Sequence, residues 1–414
     1  MQKKGSVDSK IIDVTYDFQF LLKKRTVFGL WIFAGLCVVI LQYLLGSNSE
    51  INNFIIFKSS FFHLAYLKNL YIPYPGEYFD LYLYGPVFAL FIAPFSLLPV
   101  WFSYTFWIIL NALVLLYAIY QLPVNDKNRA IVSWIVFNCL ITSLLNSQVH
   151  AITAALIILS YTHIHKKQFF WAAFFLIIGV FIKLYGIIGL AFFFFVENKP
   201  KYMLYLVFWT MVLFILPMAF VGIDFTIQCY VDWYKVLVHK NSLNVMLENS
   251  RTDVCVMGMF RRLLHDSTLS NLYFIIPGLL IFALSYLRKS QFGNVVFQLR
   301  LLASALLFVI LASTGSESPT IIIGFAGVAI WFILSEKTKP DIALLLFALI
   351  ISSFSPTDIF PGYIRDHYIN QYALIVLPLL LVWLKLNWDI ARGTYKNDPE
   401  GPPTSAGDQV PSVF

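Results

Sequence analysis

The chain has 414 residues, of which 59% are hydrophobic and only 12% are charged, and its mean hydropathy is +0.75. A water-soluble surface could not cover so much apolar side chain, so the composition excludes an ordinary soluble protein. The net charge of +7 does not indicate nucleic acid, because the Lys and Arg residues of a membrane protein collect in its cytoplasmic loops. The sequence therefore predicts an integral membrane protein.

The first 26 residues are polar and charged, and the first apolar run covers residues 27–45. No small-residue cleavage site follows this run, so we predict an anchor that stays rather than a signal that is removed. Apolar runs of similar length recur along the chain, and ~20 uncharged residues can span a bilayer as a helix. We expect an all-α polytopic membrane protein with a bundle of about twelve transmembrane helices.

Residues 84–99 form a shorter apolar stretch that Pro94 interrupts. Clusters of Lys and Arg mark cytoplasmic loops, and an even number of spans must separate two consecutive clusters. The basic residues at 23–25 and the pair Lys127 and Arg129 obey this rule only if the shorter stretch does not cross. We therefore predict a re-entrant or interfacial segment after the first external loop.

The same rule predicts the domain layout: a cytoplasmic N-terminus at 1–26, a transmembrane region at 27–387 with external loops at 46–99 and 223–270, and a cytoplasmic tail at 388–414. The tail is rich in Pro, Gly and Ser and is predicted to be disordered. Most polar side chains then lie outside the membrane, on the extracytoplasmic side. A transporter more often carries them near the bilayer midplane, on broken helices in paired repeats, so we favour an external active site.

Four stretches resemble the membrane glycosyltransferases of the GT-C class, most closely glycosyltransferase family 87, the polyprenol-phosphate-mannose-dependent type. Residues 69–107, "NLYIPYPGEYFDLYLYGPVFALFIAPFSLLPVWFSYTFW", resemble the family's tyrosine- and proline-rich re-entrant segment, and "NSQVH" at 146–150 resembles its GQxN corner. "FFLIIGVFIKLYGIIGL" at 174–190 is similar to its small-residue helix ending in Lys. "NSLNVMLENSRTDVCVMGMFRR" at 241–262 is similar to its NS…GxxxR external loop.

The resemblance implies an inverting hexosyltransferase that moves mannose or another hexose from a polyprenyl-phosphate sugar donor to a lipid or glycan acceptor. It implies no cofactor, no nucleotide site and no nucleic acid. The expected location is the cytoplasmic (inner) membrane of a bacterium, with both termini cytoplasmic, membrane lipids around the bundle and chemistry on the extracytoplasmic face. A polysaccharide ligase or polymerase, and a transporter or lipid flippase, are the alternatives.

Such a transfer needs a carboxylate that takes the acceptor proton. The family pattern places an Asp just after the first helix, but this sequence has Asn53 there, which cannot act as a base and is assigned to substrate binding instead. We prefer Asp80, which precedes the re-entrant turn at Tyr84, and keep Glu50 as the acid nearer to the family position. The alternative is that both are solvated loop acids.

The donor phosphate needs cationic groups. Lys183 is the first candidate, because an ammonium at the end of an apolar helix is costly unless it is paired or faces water. A lysine that snorkels to the interface is the alternative. Arg261 and Arg262 come next, since a guanidinium binds phosphate oxygens through two hydrogen bonds, unless the pair is only a solvated basic loop.

The remaining candidates for substrate binding are polar side chains at the external ends of helices. A helix cap is the alternative for His150, and an aromatic belt at the membrane interface is the alternative for Tyr84. His367 could titrate near neutral pH without any role. The candidates are Tyr84, Gln148, His150, Glu317, Arg365 and His367.

Cysteine and histidine patterns add little to this prediction. The seven histidines form no metal-binding motif, so we predict no metal. Cys229 and Cys255 share an external loop, where a disulfide is permitted. We expect two free thiols there and keep the disulfide as the alternative.

Overall fold

The computed structural model describes residues 19–47, 50–247 and 251–393. Within these ranges the chain is helical and contains no β-strand. Residues 1–18 of the predicted cytoplasmic N-terminus and 394–414 of the predicted tail lie outside the described residues, so the predicted disorder of the tail stays a prediction.

Most of the main helices of the described chain follow one another with short connections. The first nine are α1 (Lys24–Leu44), α2 (Asn52–Ala65), α3 (Pro86–Phe91), α4 (Ala93–Ser96), α5 (Val100–Tyr120), α6 (Asp126–Leu145), α7 (His150–His165), α8 (Phe169–Ile182) and the 3₁₀ helix α9 (Leu184–Phe195). The next eight are α10 (Lys199–Val221), α11 (Ile223–Asn244), α12 (Val256–Leu264), α13 (Leu272–Leu287), α14 (Val295–Ala312), α15 (Ser318–Leu334), α16 (Lys339–Phe347) and α17 (Leu374–Arg392). Longer connections cover residues 66–85 and 348–373, and the second contains the short helices Ala348–Phe354, Gly362–Ile364 and Arg365–Asn370.

Six of these helices, α1, α5, α6, α10, α14 and α17, are long and apolar enough to cross a membrane. Four shorter apolar helices, α8, α9, α13 and α15, lie between them. With α7 and α16 they correspond to the segments that the sequence predicts as crossings. The prediction of an all-α polytopic membrane protein is therefore confirmed.

The core of the bundle is the contact between α14 and α15, both of which are buried along most of their length. Their backbones approach closely at Gly327, where a Cβ would lie 2.6 Å from the Ala303 carbonyl oxygen. Small residues permit such contacts between helices in a membrane. By contrast, α10 exposes most of its apolar surface, which is the pattern of a helix that faces lipid.

The apolar segment at residues 84–99 contains no helix that is long enough to cross a membrane. It folds into α3 and α4, with six and four residues, whereas about 20 residues are needed to span a bilayer. Lys58 of α2 caps the C-terminal end of this segment: its Nζ donates to the carbonyls of Ser96 at 2.6 Å and Leu98 at 2.6 Å. These hydrogen bonds satisfy carbonyls that a continuous helix would have used internally.

Candidate active site

Asn52, at the start of α2, binds the backbone of Phe79 through both atoms of its side-chain amide. Its Nδ2 donates to the Phe79 carbonyl at 2.9 Å, and its Oδ1 accepts from the Phe79 N–H at 2.8 Å. The next residue, Asp80, has a left-handed backbone with a φ of 69°, which Asp tolerates better than most residues. These two hydrogen bonds between Asn52 and Phe79 hold Asp80 beside the first turn of α2.

Asp80 forms an ion pair with Lys240 of α11. The Lys240 ammonium lies 2.9 Å from Oδ1 and 3.1 Å from Oδ2, and the Asp80 side chain remains 52% exposed. Oδ1 also accepts a hydrogen bond from the Leu81 N–H at 2.8 Å. The predicted base thus lies in the site region, but its two carboxylate oxygens are already bound to an ammonium.

The other positions near the family's usual acid differ in their contacts. Asn53 donates from Nδ2 to the Asn146 carbonyl at 2.9 Å, which ties α2 to the corner between α6 and α7. Glu50 is exposed just before α2, and its N–H donates to the Ser47 carbonyl at 3.0 Å. Asn53 therefore contacts the site corner, whereas the backbone hydrogen bond of Glu50 is local to its own turn.

Tyr84 connects the segment before α3 to the same corner, because its hydroxyl donates to Gln148 Oε1 at 3.0 Å. The side chain is only 6% exposed, and burial raises the pKa of the Tyr84 phenol, which keeps its proton. Trp233 Nε1 donates to the Leu83 carbonyl at 3.0 Å, and the Tyr71 hydroxyl donates to the Tyr84 carbonyl at 3.1 Å. Tyr84 is thus held as a hydrogen-bond donor at a fixed position.

Lys183 lies in the bend between α8 and α9, outside both helices. The bend is tight because Gly179 and Gly186 pack backbone to backbone: a Cβ on Gly186 would lie 2.4 Å from the Gly179 carbonyl carbon. The ammonium lies 5.0 Å from the centre of the Tyr185 ring. Burial lowers the pKa of Lys183 to about 8, and the negative charge of Glu317 opposes that shift. A partly buried cation without an ion-pair partner among the described residues is suited to an anionic ligand.

The loop between α14 and α15, which carries Glu317, is held by the chain before α12. The Asp253 N–H donates to the Thr314 carbonyl at 3.0 Å, and the Val254 N–H donates to the Ser316 carbonyl at 2.9 Å. These two hydrogen bonds resemble the pairing of two short strands. They fix the backbone that presents Glu317.

Glu317 immediately precedes α15, and its backbone carbonyl accepts a hydrogen bond from the Thr320 N–H at 2.9 Å. The Glu317 N–H donates to Thr320 Oγ1 at 3.2 Å, and the same Oγ1 lies 3.2 Å from His150 Nε2. His150 is 1% exposed, at the first turn of α7. This chain of contacts joins the predicted residues His150 and Glu317 through Thr320.

Glu317 is also the centre of a group of charges. Burial raises the pKa of its carboxyl, while the positive charges of Lys183 and Lys240 lower that pKa and the negative charge of Asp80 raises it. These effects act only over short distances in a partly desolvated site. The structure therefore brings three predicted residues, Asp80, Lys183 and Glu317, into one electrostatic cluster.

A cavity of about 600 Å³ opens next to Glu317. Five of its lining residues are charged, which is unusual for a recess next to apolar helices. We call it the Glu317 cavity. It is lined by Thr142, Asn146, Arg251, Val254, Arg262, Glu317, Ser318, Pro319, Pro356, Arg365, Asp366, Ile369, Asn370, Ala373 and Ile375.

The neighbouring arginines of α12 have different environments. Arg261 is 3% exposed and forms a buried ion pair with Asp253 at 2.7 Å. It also donates to the Leu269 carbonyl at 2.8 Å and 2.6 Å. Arg262 lines the Glu317 cavity and donates to the carbonyls of Thr252 and Asn370. Of the two, Arg262 is the one placed where a ligand could reach it.

The last two predicted residues, Arg365 and His367, also have different surroundings. Arg365 lines the cavity and pairs with Asp358 at 3.1 Å and Asp366 at 2.9 Å. His367 is exposed and stacks on Tyr363, with ring centres 4.3 Å apart. Arg365 thus contributes to the cavity, whereas His367 lies on the surface beside it.

Sequence reasoning did not single out Lys240, Asp366 or Tyr185. Lys240 lies on α11, 160 residues after Asp80, and no local pattern in the sequence distinguishes it from Lys235 on the same helix. Tyr185 follows Lys183 by two positions, so a ring next to the ammonium could have been expected.

All four cysteines lie in the described part of the chain, and all four are free. Cys255 instead donates from its thiol to Asp253 Oδ1 at 3.2 Å. The expectation of two free thiols at Cys229 and Cys255 agrees with this, and the disulfide alternative does not. Within the described ranges, no three His, Cys, Asp or Glu residues are grouped so that they could hold a metal ion.

Helices that cross the membrane several times, with a charged cavity between their connecting loops, define a polytopic membrane protein whose site opens at the end of the bundle. The model of glycosyltransferase family 87 matches residues 82–356, more than half of the chain. The protein belongs to glycosyltransferase family 87, and it is therefore a membrane glycosyltransferase with a sugar donor and an acceptor as substrates. No curated protein matches the chain.

Proposed function

We propose that the protein transfers a hexose, with mannose as the first candidate, from a polyprenyl-phosphate donor to a hydroxyl of a lipid or glycan acceptor. One observation carries this proposal: a partly buried lysine, Lys183, lies at a bend between two apolar helices and within electrostatic range of a carboxylate that lines a cavity. A lipid phosphate joins an apolar chain to an anion, and this arrangement offers a partner for each part.

The proposed roles follow from the geometry. Lys183 neutralises the charge that develops on the donor phosphate as the sugar leaves, and Arg262 assists from the cavity wall. Tyr84 and Gln148, joined by their hydrogen bond of 3.0 Å, bind sugar hydroxyls. Arg261 has a supporting role, because its donors are used by Asp253 and by the backbone.

A carboxylate must take the proton of the acceptor hydroxyl, so that the acceptor oxygen can attack the anomeric carbon opposite the phosphate. A single displacement of this kind inverts the anomeric configuration. Asp80 belongs to the charged cluster around Glu317, whereas Glu50 is an exposed residue that does not line the Glu317 cavity.

We further propose that the site faces the extracytoplasmic side of a bacterial cytoplasmic membrane, with both chain termini in the cytoplasm. The support is the position of the basic clusters, because Lys and Arg favour cytoplasmic loops. Lys166 and Lys167 follow α7, whereas Gln148 precedes it and His150 is its first residue. The basic cluster and the site thus lie at opposite ends of one helix.

The second candidate is a polysaccharide ligase, which would take its glycan from a polyprenyl diphosphate. The observation that favours it is the set of three arginines, Arg251, Arg262 and Arg365, on the cavity wall, because a diphosphate attracts more cationic groups than a monophosphate. A transporter has less support, since the charges gather at the loops rather than at mid-bundle.

One assay separates these functions. The purified protein in lipid nanodiscs is given three labelled donors in turn: polyprenyl-phosphate-mannose, a polyprenyl-diphosphate sugar and GDP-mannose. We expect label to move to a membrane lipid extract from the monophosphate donor alone. Transfer from the diphosphate donor would favour the ligase, and transfer from GDP-mannose would contradict the proposal.

A further inference from the structure

We propose that Glu317 is the general base of this protein, in the role that the family pattern gives to an Asp at the position of Asn53. This inference rests on the proposed function and assigns its acceptor base. It differs from the sequence prediction, which preferred Asp80 and assigned Glu317 to substrate binding.

The first argument is elimination among the acids near the site. Asp80 is bound to Lys240 at 2.9 Å, and Asp253 is bound to Arg261 at 2.7 Å. Two further acids, Asp358 and Asp366, are bound to Arg365 at 3.1 Å and 2.9 Å, and Glu77 lies 3.0 Å from His63. A carboxylate that already accepts hydrogen bonds from a cation has less capacity to accept a proton.

Glu317 is different because it forms no ion pair with any residue that the structure describes, yet it lines the cavity. Its backbone is fixed on both sides, by Val254 bound to Ser316 and by Thr320 bound to the Glu317 N–H. A base needs a fixed position and an open approach. Glu317 has both.

The second argument is electrostatic. Burial raises the pKa of the Glu317 carboxyl, which makes the carboxylate a stronger proton acceptor, and Lys183 and Lys240 keep it ionised by lowering that pKa. The negative charge of Asp80 also raises the pKa of Glu317, by less than burial does. The same Lys183 is proposed to hold the donor phosphate, so the base and the leaving group share one ammonium between them.

The step balances without a further reactant. The acceptor O–H gives its proton to a Glu317 carboxylate oxygen, and the acceptor oxygen forms a bond to the anomeric carbon. The bond from that carbon to the phosphate oxygen breaks, and its electron pair leaves with polyprenyl phosphate, next to Lys183. The protonated Glu317 then returns its proton to water.

The test is Glu317→Gln, which keeps the size of the side chain and removes the base. We expect kcat to fall by roughly a hundredfold or more, with the KM for polyprenyl-phosphate-mannose within about twofold of the wild type. The matched control is Glu336→Gln, the same change at an exposed acid that follows the other end of α15. This variant keeps wild-type kcat.

The position of Glu317 directly before α15 requires a control for folding. Thermal unfolding in nanodiscs measures it, and Glu317→Asp is the second variant, because it retains a carboxylate. We expect the kcat of Glu317→Asp to be reduced but still to fall at acidic pH as its carboxylate becomes protonated; this fall is the acidic limb of the pH profile. Glu317→Gln should lose the acidic limb, even if its stability is lower. A merely structural role would leave the limb unchanged in both.

Three outcomes overturn the inference: near-normal kcat in Glu317→Gln, an acidic limb that persists in Glu317→Gln, or loss of kcat in Asp80→Asn with Glu317→Gln active. The proposed function is judged separately. If the wild type moves no label from the polyprenyl-phosphate donor, that function fails. If the wild type transfers and Glu317→Gln equals it, only the base assignment fails.

Discussion

Gly85 packs directly against Phe181: a Cβ on Gly85 would lie 2.2 Å from the Phe181 carbonyl oxygen. Gly85 follows Tyr84, and Phe181 precedes the bend at Lys183 by two positions. The contact therefore sets the distance between the segment that carries Tyr84 and the bend that carries the Lys183 ammonium. Glycine is required there because any side chain would force the two backbones apart.

We predict that Gly85→Ala lowers both thermal stability and turnover. A methyl group cannot fit at 2.2 Å from a carbonyl oxygen, and overpacking of this kind costs about 1–3 kcal/mol. Gly76→Ala is the control, because a Cβ there meets no atom within 4 Å. Equal melting temperatures for the two variants, measured in the same nanodiscs, would contradict the packing argument.

Donor binding should weaken at alkaline pH, where Lys183 loses its positive charge. Its pKa is lowered to about 8 by burial, with Glu317 opposing, and the proposed donor binds the protonated form. The charge is present below that pH and lost above it, so the KM for the donor should rise as the pH passes through about 8. Tyr185 and His150 also lie close to this ammonium.

The check is the pH dependence of the donor KM in wild type and in Lys183→Met. The variant should show a KM at least about tenfold higher at pH 7, and it should lack the rise near pH 8. Lys337→Met, at an exposed lysine between α15 and α16, serves as the control. A Lys183→Met profile that matches the wild type would assign the lysine to packing alone.

Arg261 and Arg262, although adjacent, should respond differently to replacement by Met. Arg261→Met leaves Asp253 buried without its partner, and breaking a buried pair in this way costs about 3–5 kcal/mol. We expect a large fall in melting temperature. Arg262→Met should be milder in stability and should raise the KM for the donor, because this arginine lines the cavity. The reverse order of melting temperatures would show that the two environments are assigned wrongly.

The predicted topology can be tested with single cysteines. A cysteine at Asn125, which caps α6, should react only with a reagent added from the cytoplasmic side. One at Lys68, exposed in the loop after α2, should react only from the other side. The unsubstituted protein is the control. Labelling of position 125 from outside would mean that residues 84–99 cross the membrane after all.

The sequence was sufficient for the features that depend on local composition. Apolar runs and prolines predicted the helices and the short segment that ends near Pro99. Gly179, Lys183 and Gly186 lie at the bend between α8 and α9. The sequence alone predicted only a helix that ends in a lysine.

The features that sequence reasoning missed depend on contacts between distant parts of the chain. Lys240 neutralises Asp80 from 160 residues away, and nothing near Asp80 in the sequence shows this. Arg261 and Arg262 are identical in type and adjacent, so only the fold determines which one is buried against Asp253. Glu317 was identified as polar and external, but its open carboxylate becomes evident only when the ion pairs of the other acids are known.

The central claim is that the protein moves a sugar from a polyprenyl monophosphate, with Lys183 at the phosphate. The most direct measurement follows labelled mannose from polyprenyl-phosphate-mannose into the lipid extract, in nanodiscs that contain either the wild type or Lys183→Met at a donor concentration below KM. The account predicts transfer by the wild type and a rate at least about tenfold lower in the variant. No transfer by the folded wild type, or equal rates in the two proteins, would contradict it.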